Sequence, residues 1–283
     1  MRHKIIDKKD LCPGNYLIEI EAPNIAQRFE PGQFVIVRIN EKGERIPLTV
    51  ADFDTQKGTI TLIFQVVGKS TMQLGTLNVG DAVLDCVGPL GKPSEIKKFG
   101  RVICVGGGTG IACIYPLIRA LADAGNEVIS IIGARTASLL ILEDEITVLT
   151  SRTFVATDDG SKGHHGFVTD VLTNLLDDYR NSGGVERVIA IGPPVMMRAV
   201  ADVTRSLHIK TIVSLNSIML DGTGMCGSCR VFIDGEMKLA CIDGPEFDAH
   251  KVNFEDLISR LEMFKEKESE AMNHYSSKAG VRK

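Results

Sequence analysis

The 283-residue chain has no excess of charge of either sign: 32 basic residues stand against 36 acidic ones, for a net charge of -4. That balance gives no footprint for nucleic acid or for an anionic membrane. A membrane-length apolar run is also missing. The longest stretch without a charge, Val102 to Ile118, is broken by Gly106, Gly107, Gly108, Gly110 and Pro116 and falls short of a full span. It reads instead as a buried strand, loop and helix. The opening residues Met1-Arg-His-Lys-Ile-Ile-Asp-Lys-Lys-Asp lack the apolar core of a leader peptide, so a cytoplasmic site is expected. An even set of cysteines is lacking too: there are seven, which argues against a disulfide framework in a chain without an export signal. Cys12, Cys86, Cys104 and Cys113 are expected as small buried hydrophobes. What is present is a 44% hydrophobic content, sufficient for a real core, in a length suited to about two domains.

The most specific stretch is Asp221-Gly-Thr-Gly-Met-Cys226-Gly-Ser-Cys229, followed after eleven residues by Cys241. Plant-type [2Fe–2S] loops read C-x4-C-x2-C with a distant fourth cysteine, and here the register is the same with aspartate first. A carboxylate is anionic at neutral pH and binds iron. Gly222, Gly224 and Gly227 allow the loop to curl and turn its N–H groups toward sulfide. The run Arg230-Val-Phe-Ile-Asp-Gly-Glu-Met-Lys-Leu predicts a hairpin turning at Asp234-Gly235, which returns Cys241 to the loop. Three thiolates with one further ligand also suit a structural zinc, and Asp221-Gly222 also reads as a plain turn.

Up to about residue 95 the chain shows short alternating runs: Tyr16–Glu21, Gln33–Ile39, Leu48–Ala51, Thr59–Gln65 and Ala82–Val87. Pro13-Gly14, Pro31-Gly32, Lys42-Gly43 and Asn78-Val-Gly80-Asp81 separate them, a pattern that predicts a small antiparallel barrel with one short helix near Ser70–Leu77. Arg45-Ile-Pro47-Leu48-Thr49 sets a guanidinium fork just before a strand, suited to a diphosphate or simply solvated. Val67-Gly68-Lys69-Ser70-Thr71 opens a helix, where free N–H groups suit a phosphate or where Ser70 is an N-cap.

After Gly88-Pro89-Leu90-Gly91-Lys92-Pro93, read as a linker closing the barrel, strands alternate with helices. Arg101–Val105, Glu127–Gly133, Thr153–Thr157 and Arg187–Gly192 are apolar runs of the kind buried in a parallel sheet. A helix from about Ile111 places Ile114, Leu117, Ile118 and Leu121 on one face and stops at Gly125. Gly106, Gly107, Gly108, Thr109 and Gly110 lie between the first strand and that helix, where a diphosphate binds in doubly wound sheets. The G-x-G-x-x-G fingerprint is not met, because position 111 is isoleucine, and a plain connection would look similar. Asp158, Asp159, Gly160 and Ser161 follow the third strand. Carboxylates there favour free ribose hydroxyls, hence NAD(H), or form a solvated turn.

R-x-P-L-T, V-G-K-S-T, G-P-L-G, G-G-G-T-G-I-A, D-D-G-S, I-G-P-P-V-M-M and the cluster loop with C-x-D-G-P-E-F-D-A-H occur here in one order. Over about residues 3 to 262 the chain resembles the ferredoxin–NADP reductase superfamily. Within it, the likeness is greater to small (alpha) subunits of NADH-dependent reduced ferredoxin:NADP oxidoreductase, also known as sulfide dehydrogenase subunits; electron-transfer subunits of dihydroorotate dehydrogenase are the alternative. The resemblance implies FAD contacts at Arg45, Pro47, Leu48, Thr49, Gly68, Ser70 and Thr71, with Thr49 near the reacting ring. It implies nicotinamide-nucleotide contacts at Gly106 to Gly110 and near Asp159, Gly160 and Ser161, and cluster ligands at Asp221, Cys226, Cys229 and Cys241. An aspartate first ligand is the small-subunit pattern; the dihydroorotate relatives have cysteine there. Ile191-Gly192-Pro193 replaces the C-G-P of many reductases, so no thiol stands at that place to assist hydride transfer. Cys113 replaces a common proline, and Ser70 a common glycine.

The implied organisation is an FAD-binding β-barrel over 1–96, a doubly wound NAD(H)-binding α/β domain over 97–216, a [2Fe–2S] domain over 217–250 and a C-terminal helix and tail over 251–283. That helix is expected to be capped near Asn253, with Phe254, Leu257, Ile258, Leu261 and Phe264 on one face. The implied activity is oxidoreduction: an electron-transfer subunit between NAD(H), FAD and the cluster, serving a larger flavin and iron–sulfur subunit and, through that complex, ferredoxin. Bifurcation is compatible with that role. The non-enzymatic alternative is an assembly module with a zinc loop and a regulatory nucleotide.

Overall fold

The computed structural model describes residues 2–180 and 182–279. Its first sheet is built from β1 (His3–Cys12), β2 (Asn15–Glu21), β3 (Phe34–Arg38), β4 (Arg45–Asp54), β5 (Thr59–Gln65), β6 (Ala82–Val83) and β7 (Asp85–Leu90), with helices α1 (Pro23–Ala26) and α2 (Lys69–Thr76) between strands. The order β6-β1-β2-β5-β4-β3-β7 is antiparallel throughout and curls into a barrel. Alternation explains the core: Ile18 and Ile20, Val35 and Val37, Ile60, Leu62 and Phe64 point inward and are buried.

Three elements differ from the sequence expectation. β1 forms although its ten residues hold five charges, because only Ile5 is fully buried and the charged side chains keep access to water while the backbone pairs with β2. The single turn of α1 was not expected either. Gly88-Pro89-Leu90 is not linker but the end of β7, where Leu90 pairs with Phe34 of β3.

The second sheet contains β8 (Arg101–Gly107), β9 (Glu127–Ala134), β10 (Arg152–Thr157), β11 (His164–His165), β12 (Arg187–Ile191) and β13 (Lys210–Ser214), joined by α3 (Gly110–Asp123), α4 (Glu143–Thr147), α5 (Val168–Tyr179) and α6 (Pro194–Arg205). Its order is β11-β10-β9-β8-β12-β13, all parallel, so the direction of winding reverses between β8 and β12 and a crevice opens at their carboxyl ends. Ile114, Leu117, Ile118 and Leu121 of α3 are fully buried against it, and Gly125 ends the helix region at φ +80°. The two sheets are not independent. Ala51 and Ile63 of the barrel are buried in the same apolar cluster as α3.

A hairpin of β14 (Arg230–Ile233) and β15 (Glu236–Leu239) turns through Asp234 and Gly235, both at positive φ, as the sequence predicts. β16 (Glu246–Asp248) then adds to β13 antiparallel and closes the second sheet's edge. The Lys92 amide donates to the Gly244 carbonyl at 2.7 Å, and Ser94 Oγ donates to Glu246 at 2.5 Å, tying this segment to the barrel's exit. Helix α7 (Phe254–Glu262) is capped by Asn253, whose side chain accepts from the Asp256 amide at 3.0 Å. Phe254 and Leu257 are buried, but Phe264 lies beyond the helix end, 43% exposed, instead of extending its apolar face. The polar helix α8 (Lys265–Ala279) folds back onto α2, with Ser276 Oγ 3.4 Å from Met72 Sδ. Among the described residues no helix is long and apolar enough to cross a membrane.

Candidate functional site

The crevice at the carboxyl ends of β8, β9 and β12 holds a cavity of about 830 Å³. Gly107, Gly108, Thr109 and Gly110 line it where β8 passes into α3, so the first amides of the helix border the space. Gly106 does not line it. Any side chain there would strike Ile111 and Ile114, so this glycine serves strand-to-helix packing. Nothing packs over the open side of Gly108.

The acidic segment divides. Asp158 lines the cavity, but Asp159, Gly160 and Ser161 do not. Asp159 accepts from the Ser161 amide at 3.0 Å and hydroxyl at 2.6 Å, and these bonds hold its carboxyl below the usual range. Ser161 Oγ in turn accepts from the Ala137 amide at 2.7 Å. The segment is a closed turn, because a short polar loop satisfies itself locally first. Arg135 and the 63% exposed Phe167 line the cavity, as do Ser214 at the end of β13 and Asn216 beyond it. Phe167 carried a signal in the Gly-Phe step before α5, an aromatic outside any alternating run.

On the barrel, Arg45 is exposed at the start of β4, and Pro47, Leu48 and Thr49 are half-buried along it. Glu44 joins this strand to the second motif: it accepts from Ser70 Oγ at 2.7 Å and pairs with Lys69 at 3.4 Å. The two motifs, 20-odd residues apart in the chain, therefore share one place. Ser70 is not the helix cap, because its hydroxyl is held by Glu44. Thr71 Oγ1 takes that role, accepting from the Val67 and Gly68 amides at 3.0 and 3.1 Å. No atom crowds Gly68. Cys113, expected as a plain buried hydrophobe, is half-buried and lines the cavity. Burial raises its thiol pKa and a hydrogen bond with Thr49 lowers it in part.

In the third region, Cys229 and Cys241 are buried with their sulfurs 3.2 Å apart, brought together by the hairpin between them. Asp221 accepts from the Thr223 amide at 2.7 Å and the Cys226 amide at 2.9 Å, so its carboxylate and the exposed Cys226 form a second pair. The Thr223 amide, first among these contacts, holds Asp221 below the ordinary carboxylate range. Among the described residues no three such side chains converge on one point. Two pairs suit a two-iron centre better than one tetrahedral zinc. Burial, together with Cys229, pushes the Cys241 thiol up to about 12, so a bound cation is needed to keep it as thiolate. The donor set fits the cluster. The loop also touches the barrel, since a side chain at Gly222 would strike Ile36 and Leu90.

Residues 216–253 match the iron–sulfur cluster binding domain of dihydroorotate dehydrogenase B, and residues 104–202 match the oxidoreductase NAD-binding domain. A Thermotoga maritima protein named as a homolog of the dihydroorotate dehydrogenase B electron transfer subunit is 42% identical over 278 residues, covering 98% of this chain and 97% of its own. The chain belongs to the iron–sulfur electron-transfer subunits of the ferredoxin–NADP reductase superfamily. The dihydroorotate dehydrogenase B electron transfer subunit of Desulforamulus reducens is 32% identical, with 89% of this chain and 99% of that one covered. A solved structure of NADH-dependent reduced ferredoxin-NADP oxidoreductase, described for flavin-based electron bifurcation, superposes with a TM-score of 0.90 at 41% identity over 97% of this chain and 98% of that one. Membership makes the chain an oxidoreductase subunit with iron–sulfur and NAD-binding domains, and its barrel is the superfamily's flavin-binding barrel. The zinc-loop alternative has no support in these likenesses.

Proposed function

We propose that the chain passes electrons between NAD(H), an FAD on β4 and α2, and a [2Fe–2S] centre bound by Asp221, Cys226, Cys229 and Cys241, delivering them to a larger flavin and iron–sulfur subunit that deals with ferredoxin and NADP(H). The observation that carries this reading is the packing of all three regions around β3, β4 and α3. Gly222 rests on Ile36 and Leu90, and Cys113 faces Thr49 beside the cavity. When bound, FAD exchanges a hydride with the nicotinamide and the cluster moves single electrons.

The protein's part is binding and orientation. The amides at the start of α3 hold the dinucleotide's diphosphate, with Asp158 and Arg135 at the cavity's edge to select the ribose. Arg45 and the Gly68–Thr71 turn hold the flavin's diphosphate, and Glu44 fixes their spacing. Thr49 and the cavity-lining Cys113 are the side chains that would border the place where the two cofactors meet. At the cluster loop, Leu220, Met225 and Ile242 are exposed by 56%, 88% and 45%, an apolar rim around Cys226 suited to a protein partner. Aspartate at 221 favours the ferredoxin–NADP reading over the dihydroorotate one.

Anaerobic purification followed by absorption, flavin, iron and sulfide analysis tests the cofactor set. About one FAD with two irons per chain is expected; zinc in place of iron would overturn it. NADH should reduce the flavin faster than NADPH in stopped flow, because Asp158 repels a 2′-phosphate. Coupled ferredoxin and NADP turnover should need the partner subunit.

A further inference from the structure

A regular β-strand sends successive side chains to opposite faces. β4 breaks that rule at one point. Its pairing with β5 slips between Val50, opposite Leu62, and Asp52, opposite Thr61. Val50 points into the barrel core and Ala51 into the apolar cluster of α3. After the slip, Asp52 points toward α3 as well, and Phe53 returns to the barrel, where its ring meets Phe29 at 5.2 Å. A β-bulge thus presents two consecutive residues to α3.

Asp52 uses that direction to accept from Arg119 of α3 at 2.7 Å, and its other contact is the Phe53 amide, also at 2.7 Å. The Arg119 guanidinium lies 5.8 Å from the Phe53 ring centre and 5.7 Å from that of Tyr115, so barrel and helix both touch it. Farther toward the helix start, Cys113 meets Thr49, and Thr109 Oγ1 is 3.4 Å from Gln65 Oε1 of β5. α3 carries the glycine loop at its head and β4 carries Thr49. Arg119 and Asp52 are the charged lock of the face on which those two must meet.

We propose that Asp52 and Arg119 are positioning residues for hydride transfer: aimed by the β4 bulge, their ion pair fixes the distance between a nicotinamide at the head of α3 and a flavin on β4. This rests on the proposed placement of FAD and NAD(H). Neither residue lines the cavity, so each acts through the helix and strand it joins.

The test is stopped-flow reduction of the FAD-loaded protein by NADH in Asp52→Asn, Arg119→Met and the exchanged pair Asp52→Arg with Arg119→Asp. Each single variant should lose about tenfold in the limiting rate constant, since misplacement of about 1 Å costs up to a hundredfold in such steps. FAD content and the NADH dissociation constant should stay within about twofold, because the groups binding each cofactor are untouched. The exchanged pair should recover most of the rate. An unchanged limiting rate in both single variants overturns the proposal, and so does a rise in the NADH dissociation constant that accounts for the whole loss. Arg119→Lys serves as a second check: it keeps the charge, and its failure to exceed Arg119→Met in rate would also count against the ion pair. A wild-type protein that binds no FAD would instead refute the proposed function.

Discussion

Two glycine-rich loops carry this molecule, and they differ in what presses on their crowded glycines. The loop after β8 is held by the core: the start of α3 passes so close to the end of β12 that a Cβ at Gly110 would overlap the Ile191 carbonyl. In the cluster loop the crowding comes from side chains, Ile36 and Leu90 at Gly222 and Ile242 at Gly224. Gly227 has open space around it but sits at φ +66°, and the loop's shape depends on the Asp221 carboxylate accepting two amides. Backbone crowding at Gly110 ties down the first loop, whereas side-chain contacts and the Asp221 hydrogen bonds shape the second; Gly108 and Gly227 serve both loops alike by left-handed backbone in open space. The loop after β8 is therefore shaped by the backbone packed against it, while the cluster loop's shape rests on contacts that side chains make.

The largest effect should come from Gly110→Ala, where backbone and not a movable side chain is struck. A loss of about 3 kcal/mol in denaturant unfolding is expected, the upper end for an overpacked site. Stability within about 0.5 kcal/mol of wild type, the usual range for a surface change, would end the contrast. Next is Asp221→Cys, which exchanges the proposed first ligand. The protein should keep its [2Fe–2S] centre with a shifted midpoint potential, read by EPR-monitored titration, because ligand charge helps set it. An unmoved potential would take Asp221 out of the ligand set. A smaller effect is expected for Gly227→Ala, about 1 to 2 kcal/mol from left-handed backbone alone. Its penalty should fall on the cluster loop's amide exchange and leave that of α3 unchanged.

The smallest effect concerns pH. Asp221 has a depressed carboxyl pKa, so the support it gives the cluster-free loop is full above the unfolded value of about 3.9 and is lost as pH falls through the folded one. NMR shifts of the Thr223 and Cys226 amides should titrate below that value. Those of Gly107 to Gly110 should not, since no carboxylate in their own loop holds them.

Much of this was legible in the chain because it is local. Alternation located β2, β3 and β5, four apolar runs located β8, β9, β10 and β12 but not β11 or β13, and Asp234-Gly235 set the hairpin that carries Cys241 back to Cys229. β1 escaped notice because strand pairing, and not its own charged residues, makes it a strand. Asp159 looked like Asp158 in sequence, yet Ser161 captures it and leaves only its neighbour at the cavity.

By itself the sequence determined the alternating barrel strands, four of the parallel strands, the helix after the glycine loop, the tight turns and the D-x4-C-x2-C register, since each depends on neighbours a few residues away. Only the tertiary structure decided that Glu44 would bring Arg45 beside Ser70, that α8 would lie on α2, and that a bulge would aim Asp52 at Arg119. These pairings join residues between 26 and 204 positions apart, or hang on a one-residue slip between strands. No local propensity encodes such contacts; they exist because burying the cores leaves the polar groups at those junctions one another as partners.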